Sequence, residues 1–248
     1  MKKAYKLYND DCLTILEKMP NDSVDLILTD PPYNIGQFMK NRQANLNRMR
    51  SNFFVGAGWD NEEYSKWIKD MMLFMKEAHR VLKKKGSLVM FMSILKIESI
   101  VTVAEAAGFY YKTTGIWHKT NPMPRNMNLH FVNSNEPWLY FINEGKTGVF
   151  NNRGKLELDF IQTSVVTASE KKFGKHPTQK PVKLMDHFIE ILSNPGDTVL
   201  DPFMGSGSAG VSAVKLNRKF EGIEIDENYY RLSKNRIENL TIQEPLDL

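Results

Sequence analysis

The sequence predicts an α/β protein in three αβα layers, a mostly parallel sheet with helices on both faces, and three observations carry that expectation. Residues 24–29 and 197–201 read as short apolar strands, and each leads into a loop at a carboxylate, Asp30 in one case and Asp201 in the other. Between them, helical and strand-like periodicities alternate. The second loop is rich in glycine and lies late in the chain, and only 227–248 follow its second strand, room for one helix and a tail. The remaining strands must therefore come from the N-terminal part. That is a Rossmann-like sheet in circularly permuted order, its ligand strand central in space and late in sequence.

Each element has a local cause. After the strand at 24–29, a polar stretch at 37–58 has little apolar anchoring and is expected as a mobile loop. Asp60 can cap a helix, with Glu63 in the reciprocal capping-box position. Tyr64, Trp67, Ile68, Met71, Met72, Met75, His79 and Leu82 then recur at three- and four-residue steps, so this helix is amphipathic and its Met-rich face is core. Gly86 ends it, and 87–92 form a buried strand. Residues 95–107 make the next helix, stopped by Gly108, and 109–118 return as a long strand. The apolar run 137–142 belongs to the same sheet, leaving 143–172, broken by Gly145, Gly148 and Gly154, as a small insertion. Pro181 starts a helix through 192, and the Asn194-Pro195-Gly196-Asp197 turn feeds the glycine-loop strand. A helix at 209–216 and a strand at 220–226 that ends in acid complete the pattern.

At 248 residues and 42% hydrophobic content the chain can bury a sizeable core as one domain, 1–248. Lys and Arg number 33 against 29 Asp and Glu, a formal charge of +4 that is compatible with a polyanionic partner. Cys12 is the only cysteine, which excludes a disulfide framework and a cysteine-built zinc site. The histidines at 79, 118, 130, 176 and 187 show no metal-ligand spacing, so no metal is expected. Met1-Lys2-Lys3 leads into a mixed polar segment, and no run is long enough to cross a bilayer, so no membrane partner and a cytoplasmic location are expected.

The chemistry concentrates at Asp30-Pro31-Pro32-Tyr33. An exocyclic amine such as N6 of adenine is a poor nucleophile because its lone pair is delocalised into the ring. Hydrogen bonds from the amine to the Asp30 carboxylate and the Pro31 carbonyl would localise it. Pro31 and Pro32 fix the backbone that carries those acceptors, and Tyr33 offers a face on which an extruded base can stack. A β-to-loop turn with a capping Asp and a core Tyr would use the same residues.

Gly205, Gly207 and Gly210 satisfy a dinucleotide-type fingerprint, with a helix directly after it whose first N–H groups can receive an anionic ligand group. Glu224 lies about twenty residues after the first glycine, the distance at which a carboxylate takes ribose hydroxyls. The spacing fits NAD as well as S-adenosylmethionine. Position separates them, because a dehydrogenase opens its nucleotide domain with the glycine loop and continues through further strands.

Together these motifs resemble the β group of DNA amino-methyltransferases, in which Asp-Pro-Pro-Tyr precedes Phe-x-Gly-x-Gly and target recognition lies between them. The resemblance extends to Asn9-Asp10-Asp11-Cys12-Leu13, Asn34-Ile35-Gly36, Trp117-His118-Lys119-Thr120-Asn121-Pro122 and His176-Pro177-Thr178-Gln179-Lys180-Pro181. It implies an S-adenosylmethionine-dependent methyltransferase fold. It also implies that Asp201, Phe203, Gly205, Ser206 and Gly207 shape the cofactor pocket and Glu224 holds the ribose. Asp11 and Cys12 would meet the cofactor adenine, Thr178 and Lys180 its methionine end, and Asp30 would serve cofactor and target alike. Ser208 departs mildly from the Thr commoner at its position.

The function the resemblance implies is methylation of adenine N6 in duplex DNA. Asp at the head of the tetrapeptide leans towards adenine, and cytosine N4 is the near alternative. Cytosine C5 is disfavoured, since that reaction needs a cysteine nucleophile in a Pro-Cys context and Cys12 sits between Asp11 and Leu13. An NAD oxidoreductase remains as a remote alternative. Lys40, Arg42, Arg48 and Arg50, in a stretch without acids, are expected to contact DNA together with Lys119 and Arg125, though solvated surface would also explain such a run. Residues 143–172 are expected to read the target, and a companion restriction endonuclease and a second copy of the chain are conceivable partners.

Overall fold

The computed structural model describes residues 4–35, 62–124, 127–129 and 131–241. Eight strands form one sheet: β1 (Tyr5–Tyr8), β2 (Val24–Thr29), β3 (Leu82–Phe91), β4 (Phe109–Lys119), β5 (Asn135–Asn143), β6 (Phe160–Thr163), β7 (Thr198–Asp201) and β8 (Lys219–Ile223). Their spatial order is β1-β8-β7-β2-β3-β5-β4-β6. From β1 to β3 all neighbours run parallel, while β5 is antiparallel to both β3 and β4. The glycine-loop strand β7 thus pairs directly with β2, which carries the tetrapeptide, although one comes late and the other early in the chain.

Burial on both faces explains why the central strands are continuous apolar runs rather than alternating ones. Ile27, Leu88 and Met90 point into one core, with Trp67, Phe74, Met75 and Ala78 from α2 (Tyr64–Val81) and Ile100 and Ala104 from α3 (Ile97–Ala106). Leu26, Leu28, Val89 and Phe91 point into the other. There they meet Leu184, Phe188 and Ile189 from α4 (Val182–Leu192), Val211 from α5 (Ser208–Lys215) and Ile237 from α6 (Glu227–Thr241). Helices flank the sheet on both sides, the three layers the periodicity predicts. The edges are β1 and β6, each of 4 residues, and short edge strands limit unwanted pairing.

Several boundaries differ from the expectation for identifiable reasons. The polar start of the chain forms β1, paired in parallel with β8, and Cys12–Leu16 forms the short helix α1 with Asp11 as its N-cap. Helix α2 begins after Glu63, whose carboxylate makes no capping bond and instead accepts from the Ser65 hydroxyl at 2.6 Å. Asp60 lies outside the described residues. The strand after α2 starts directly at Leu82, because Lys85 takes a left-handed φ of 64° and a register shift against β2 absorbs the three lysines. Gly108 does stop the following helix: its φ is 106°, and a Cβ there would lie 2.7 Å from the His79 ring. Asn143, expected to open an insertion, closes β5, its amide donating to the Leu82 carbonyl at 2.8 Å. No helix among the described residues is long and apolar enough to cross a membrane.

Candidate active site

Carboxylates collect at the C-terminal ends of the parallel strands. Asp30 follows β2, Asp201 ends β7 and Glu224 follows β8, the ends where ligands bind in open parallel sheets. They line a cleft of about 310 Å³, closed at its sides by residues 10–12 and 176–180. Asp11, Cys12, Asp30, Thr178, Lys180, Asp201, Phe203, Gly205, Ser206 and Glu224 all face it, with Pro31, Pro32 and Tyr33 beside them. Gly207 is the exception among the expected cofactor residues. Its φ of 74° turns the chain into α5, and a Cβ there would strike Ser233 of α6 at 2.7 Å, so its smallness serves helix packing.

At the tetrapeptide end, charges are arranged in pairs. The Tyr33 hydroxyl lies 2.5 Å from Asp30 Oδ1, to which it donates, and 3.0 Å from Glu136 Oε1. Lys180 Nζ contacts Asp30 Oδ2 and lies 3.1 Å from Glu136 Oε1, and Lys119 Nζ holds the other Glu136 oxygen at 2.9 Å. Burial pushes the Asp30 carboxyl above its usual range, with Lys180 opposing and the Glu136 charge reinforcing the rise. Burial would raise Glu136 as well, but Lys180 and Lys119 override it and pull that carboxyl down to about 2. Burial works against the Lys180 ammonium, and its two carboxylate partners outweigh this and raise its pKa. The Pro32 carbonyl accepts a hydrogen bond from the Trp67 indole at 3.1 Å, tying the tetrapeptide to α2.

At the glycine-loop end, Glu224 is held by two main-chain amides, Gly205 N–H at 2.8 Å and Asp226 N–H at 2.9 Å. Gly205 has φ 51°, and a Cβ there would sit 3.2 Å from His176, so this glycine keeps both a left-handed turn and the cleft wall. Asp201 accepts from the Thr29 hydroxyl at 2.8 Å and from the Phe203 N–H at 3.2 Å. Burial raises its carboxyl to about 7, helped by the nearby Asp30 and Glu224 charges. The Cys12 thiol is pushed up to about 12 by burial and by Asp11, so it is a neutral wall rather than a nucleophile. His176 packs edge-on against Tyr229 at 4.3 Å, and burial together with Lys180 and Arg236 lowers it to about 4.

Of the expected DNA contacts, Lys40, Arg42, Arg48, Arg50 and Arg125 lie outside the described residues, as does the loop at 37–58. Lys119 is paired with Glu136 behind the cleft lining. Glu136, Trp67 and His176 are site residues for which sequence reasoning supplied no role. Glu136 carried a usable signal: an acid beside a buried strand, the same pattern as Asp30, Asp201 and Glu224. Because β5 runs antiparallel, the acid stands at the start of its strand rather than at the end. Among the described residues, no cluster of His, Cys, Asp and Glu could hold a metal ion.

The chain resembles known proteins along most of its length. The DNA methylase family matches residues 24–235. A type II methyltransferase of Haemophilus influenzae, M.HinfI, is 33% identical over 246 residues, covering 93% of this chain and 67% of that protein. M2.DpnII of Streptococcus pneumoniae, also a type II methyltransferase, is 32% identical over 96% of this chain and 91% of its own length. Among solved structures, the M1.HpyAVI–SAM complex superposes with a TM-score of 0.68 at 28% identity, covering 94% of this chain and 99% of that one.

Proposed function

Because this chain belongs to the DNA methylase family of N6 and N4 amino-methyltransferases, we propose that it methylates the N6 amine of an adenine extruded from a specific site in duplex DNA. S-adenosylmethionine is the cofactor, and the lining of the cleft fits it. Seven carboxyl groups, on Asp10, Asp11, Asp30, Glu136, Asp201, Glu224 and Asp226, face the space against the single ammonium of Lys180. Such a wall favours a cationic ligand and disfavours the pyrophosphate of NAD. When bound, the cofactor supplies a methyl group made electrophilic by its sulfonium. Glu224, fixed by two amides, is placed to accept from ribose hydroxyls, and Gly205 leaves the backbone room to approach.

The observation that carries the reading is the Asp30 carboxylate, set at the end of β2 beside the glycine-loop strand and held there by Lys180 and Tyr33. Asp30 and the Pro31 carbonyl accept from the two N6 hydrogens and localise the amine lone pair. The hydroxyl bonds of Tyr33 fix its ring, whose face is then available to stack on the extruded base. Aspartate rather than serine at position 30 favours adenine, while cytosine N4 would use the same acceptors. The segment 143–172 is the proposed target reader. On the likeness to type II methyltransferases, a companion restriction endonuclease is proposed as a partner.

Duplex DNA incubated with methyl-labelled S-adenosylmethionine and digested to nucleosides tests the assignment. N6-methyladenine is the expected product. N4-methylcytosine in its place would move the enzyme to the neighbouring specificity, and an unlabelled digest would refute the reading.

A further inference from the structure

The cluster around Asp30 contains one acid more than amine activation requires. Glu136, at the start of β5, is 18% exposed and points into the cleft beside Lys180, which is 6% exposed. An ammonium seated on Asp30 Oδ2 draws charge from the carboxylate, and an ion-paired carboxylate is a weaker acceptor than a free one. Asp30 therefore activates an arriving amine best when Lys180 gives way. A buried ammonium without a partner is costly, so it needs a second seat within reach.

That seat is already formed. Lys180 Nζ lies 3.1 Å from Glu136 Oε1 while still touching Asp30, and the Tyr33 hydroxyl likewise reaches both carboxylates, at 2.5 and 3.0 Å. Lys119, 2.9 Å from the other oxygen of Glu136, balances the added negative charge. Resting on the amino-methyltransferase reading above, we propose that Glu136 is a positioning residue that takes over Lys180 and the Tyr33 hydroxyl as the target amine engages Asp30. The ammonium passes from one carboxylate to the other inside the site and is never expelled. Two carboxylates and two ammoniums keep the cluster neutral throughout.

Glu136→Gln keeps an acceptor at the second seat but removes the charge that holds an ammonium there, so Lys180 stays with Asp30. Single-turnover methyl transfer at saturating cofactor should fall by about 10-fold or more, with cofactor affinity by calorimetry unchanged. The pH profile supplies a readout that simple loss of structure would not move. Asp30 faces Lys180, Glu136 and Tyr33, with Asp201 close by; Lys119 acts on it through Glu136, and His176, which Lys180 helps keep neutral, lies beyond Lys180. Deleting the Glu136 charge lets Asp30 stay ionised to lower pH, so the acid limb should shift downward while the plateau drops.

In a Lys180→Met background there is no ammonium to reseat, and adding Glu136→Gln should cost less than about 2-fold more. A plateau at the wild-type level, a fall with an unmoved acid limb, or losses that multiply in the double variant would each overturn the proposal. Should the Gln variant not fold, Glu136→Asp decides alone: it keeps the charge but withdraws it, so a reduced plateau with the wild-type limb supports the role and an unchanged plateau overturns it. Wild-type protein that methylates no DNA would sink the amino-methyltransferase reading itself, an outcome separate from an active wild type with an indifferent Glu136 variant.

Discussion

The Trp67 indole N–H and the Pro32 carbonyl meet at 3.1 Å, a single hydrogen bond that joins the middle of the core to the tetrapeptide across 35 residues. Trp67 is almost fully buried, so its ring packs in the core while its one polar atom reaches the site. Trp67→Phe keeps most of the packing and deletes the donor. Stability in urea should fall by about 1–3 kcal/mol, and methyl transfer by roughly 3- to 10-fold, with cofactor affinity retained. Unchanged transfer in a variant of reduced stability would show that the tetrapeptide holds its geometry without this tie.

Asp30→Ala tests the proposed acceptor of the target amine. Transfer should drop on the order of 100-fold or more while S-adenosylmethionine and DNA still bind. Single-turnover kinetics beside binding isotherms separate the two effects. Tyr33→Ala should act on the extruded base instead, visible as weaker fluorescence of 2-aminopurine placed at the target position.

Two changes at the glycine-loop end should weaken cofactor binding in different ways. On the proposed ribose role, Glu224→Ala should lose about 1.5–3 kcal/mol in cofactor affinity, and it leaves two amides without their acceptor. Gly205→Val forces a branched side chain into a left-handed turn with His176 only 3.2 Å from its Cβ. Calorimetry that finds wild-type affinity in both variants would remove this pocket from the cofactor site.

Acid should destabilise the fold through His176. Its folded-state value is depressed to about 4 from the ordinary 6.5, so the unfolded chain takes up a proton that the folded one refuses. The stability this residue contributes is complete above about 6.5 and is lost as pH falls towards 4. Asp201, raised to about 7, works in the opposite direction over the same window, so the signal in melting curves is a difference: between about 6.5 and 4 the wild type should lose stability relative to His176→Phe, which keeps a ring against Tyr229. Parallel declines in the two proteins would assign the acid sensitivity to other groups.

The order of elements and the location of the cleft were legible because each rests on local signals: apolar runs of strand length, acids at their ends, and glycines where φ is positive. Asp30, Asp201 and Glu224 could be found that way, since each lies at the end of a parallel strand. Glu136 offered the same acid-beside-a-strand signal, but its role was not legible, because its partners Lys180 and Tyr33 are brought to it only by the antiparallel insertion of β5 between β3 and β4. Strand β1 escaped for a different reason. At the sheet edge Tyr5–Tyr8 is only half-buried, so its sequence needs no continuous apolar run to pair with β8. The pairing of Lys119, expected on DNA and found on Glu136, is likewise a matter of tertiary placement.

The pairing of Asp30 with Lys180 spans 150 residues, which fixes when the site can exist during synthesis. A ribosome adding about 5–20 residues per second exposes the carboxylate on the order of ten seconds before its ammonium emerges. Through that interval the buried seat of Asp30 lacks its counter-charge, and the strand beside it, β7, has not yet been made. The nascent chain therefore cannot complete the centre of its sheet by closing early on a half-built cleft. The cleft is complete only once β7 and β8 have been made and β7 has paired with β2.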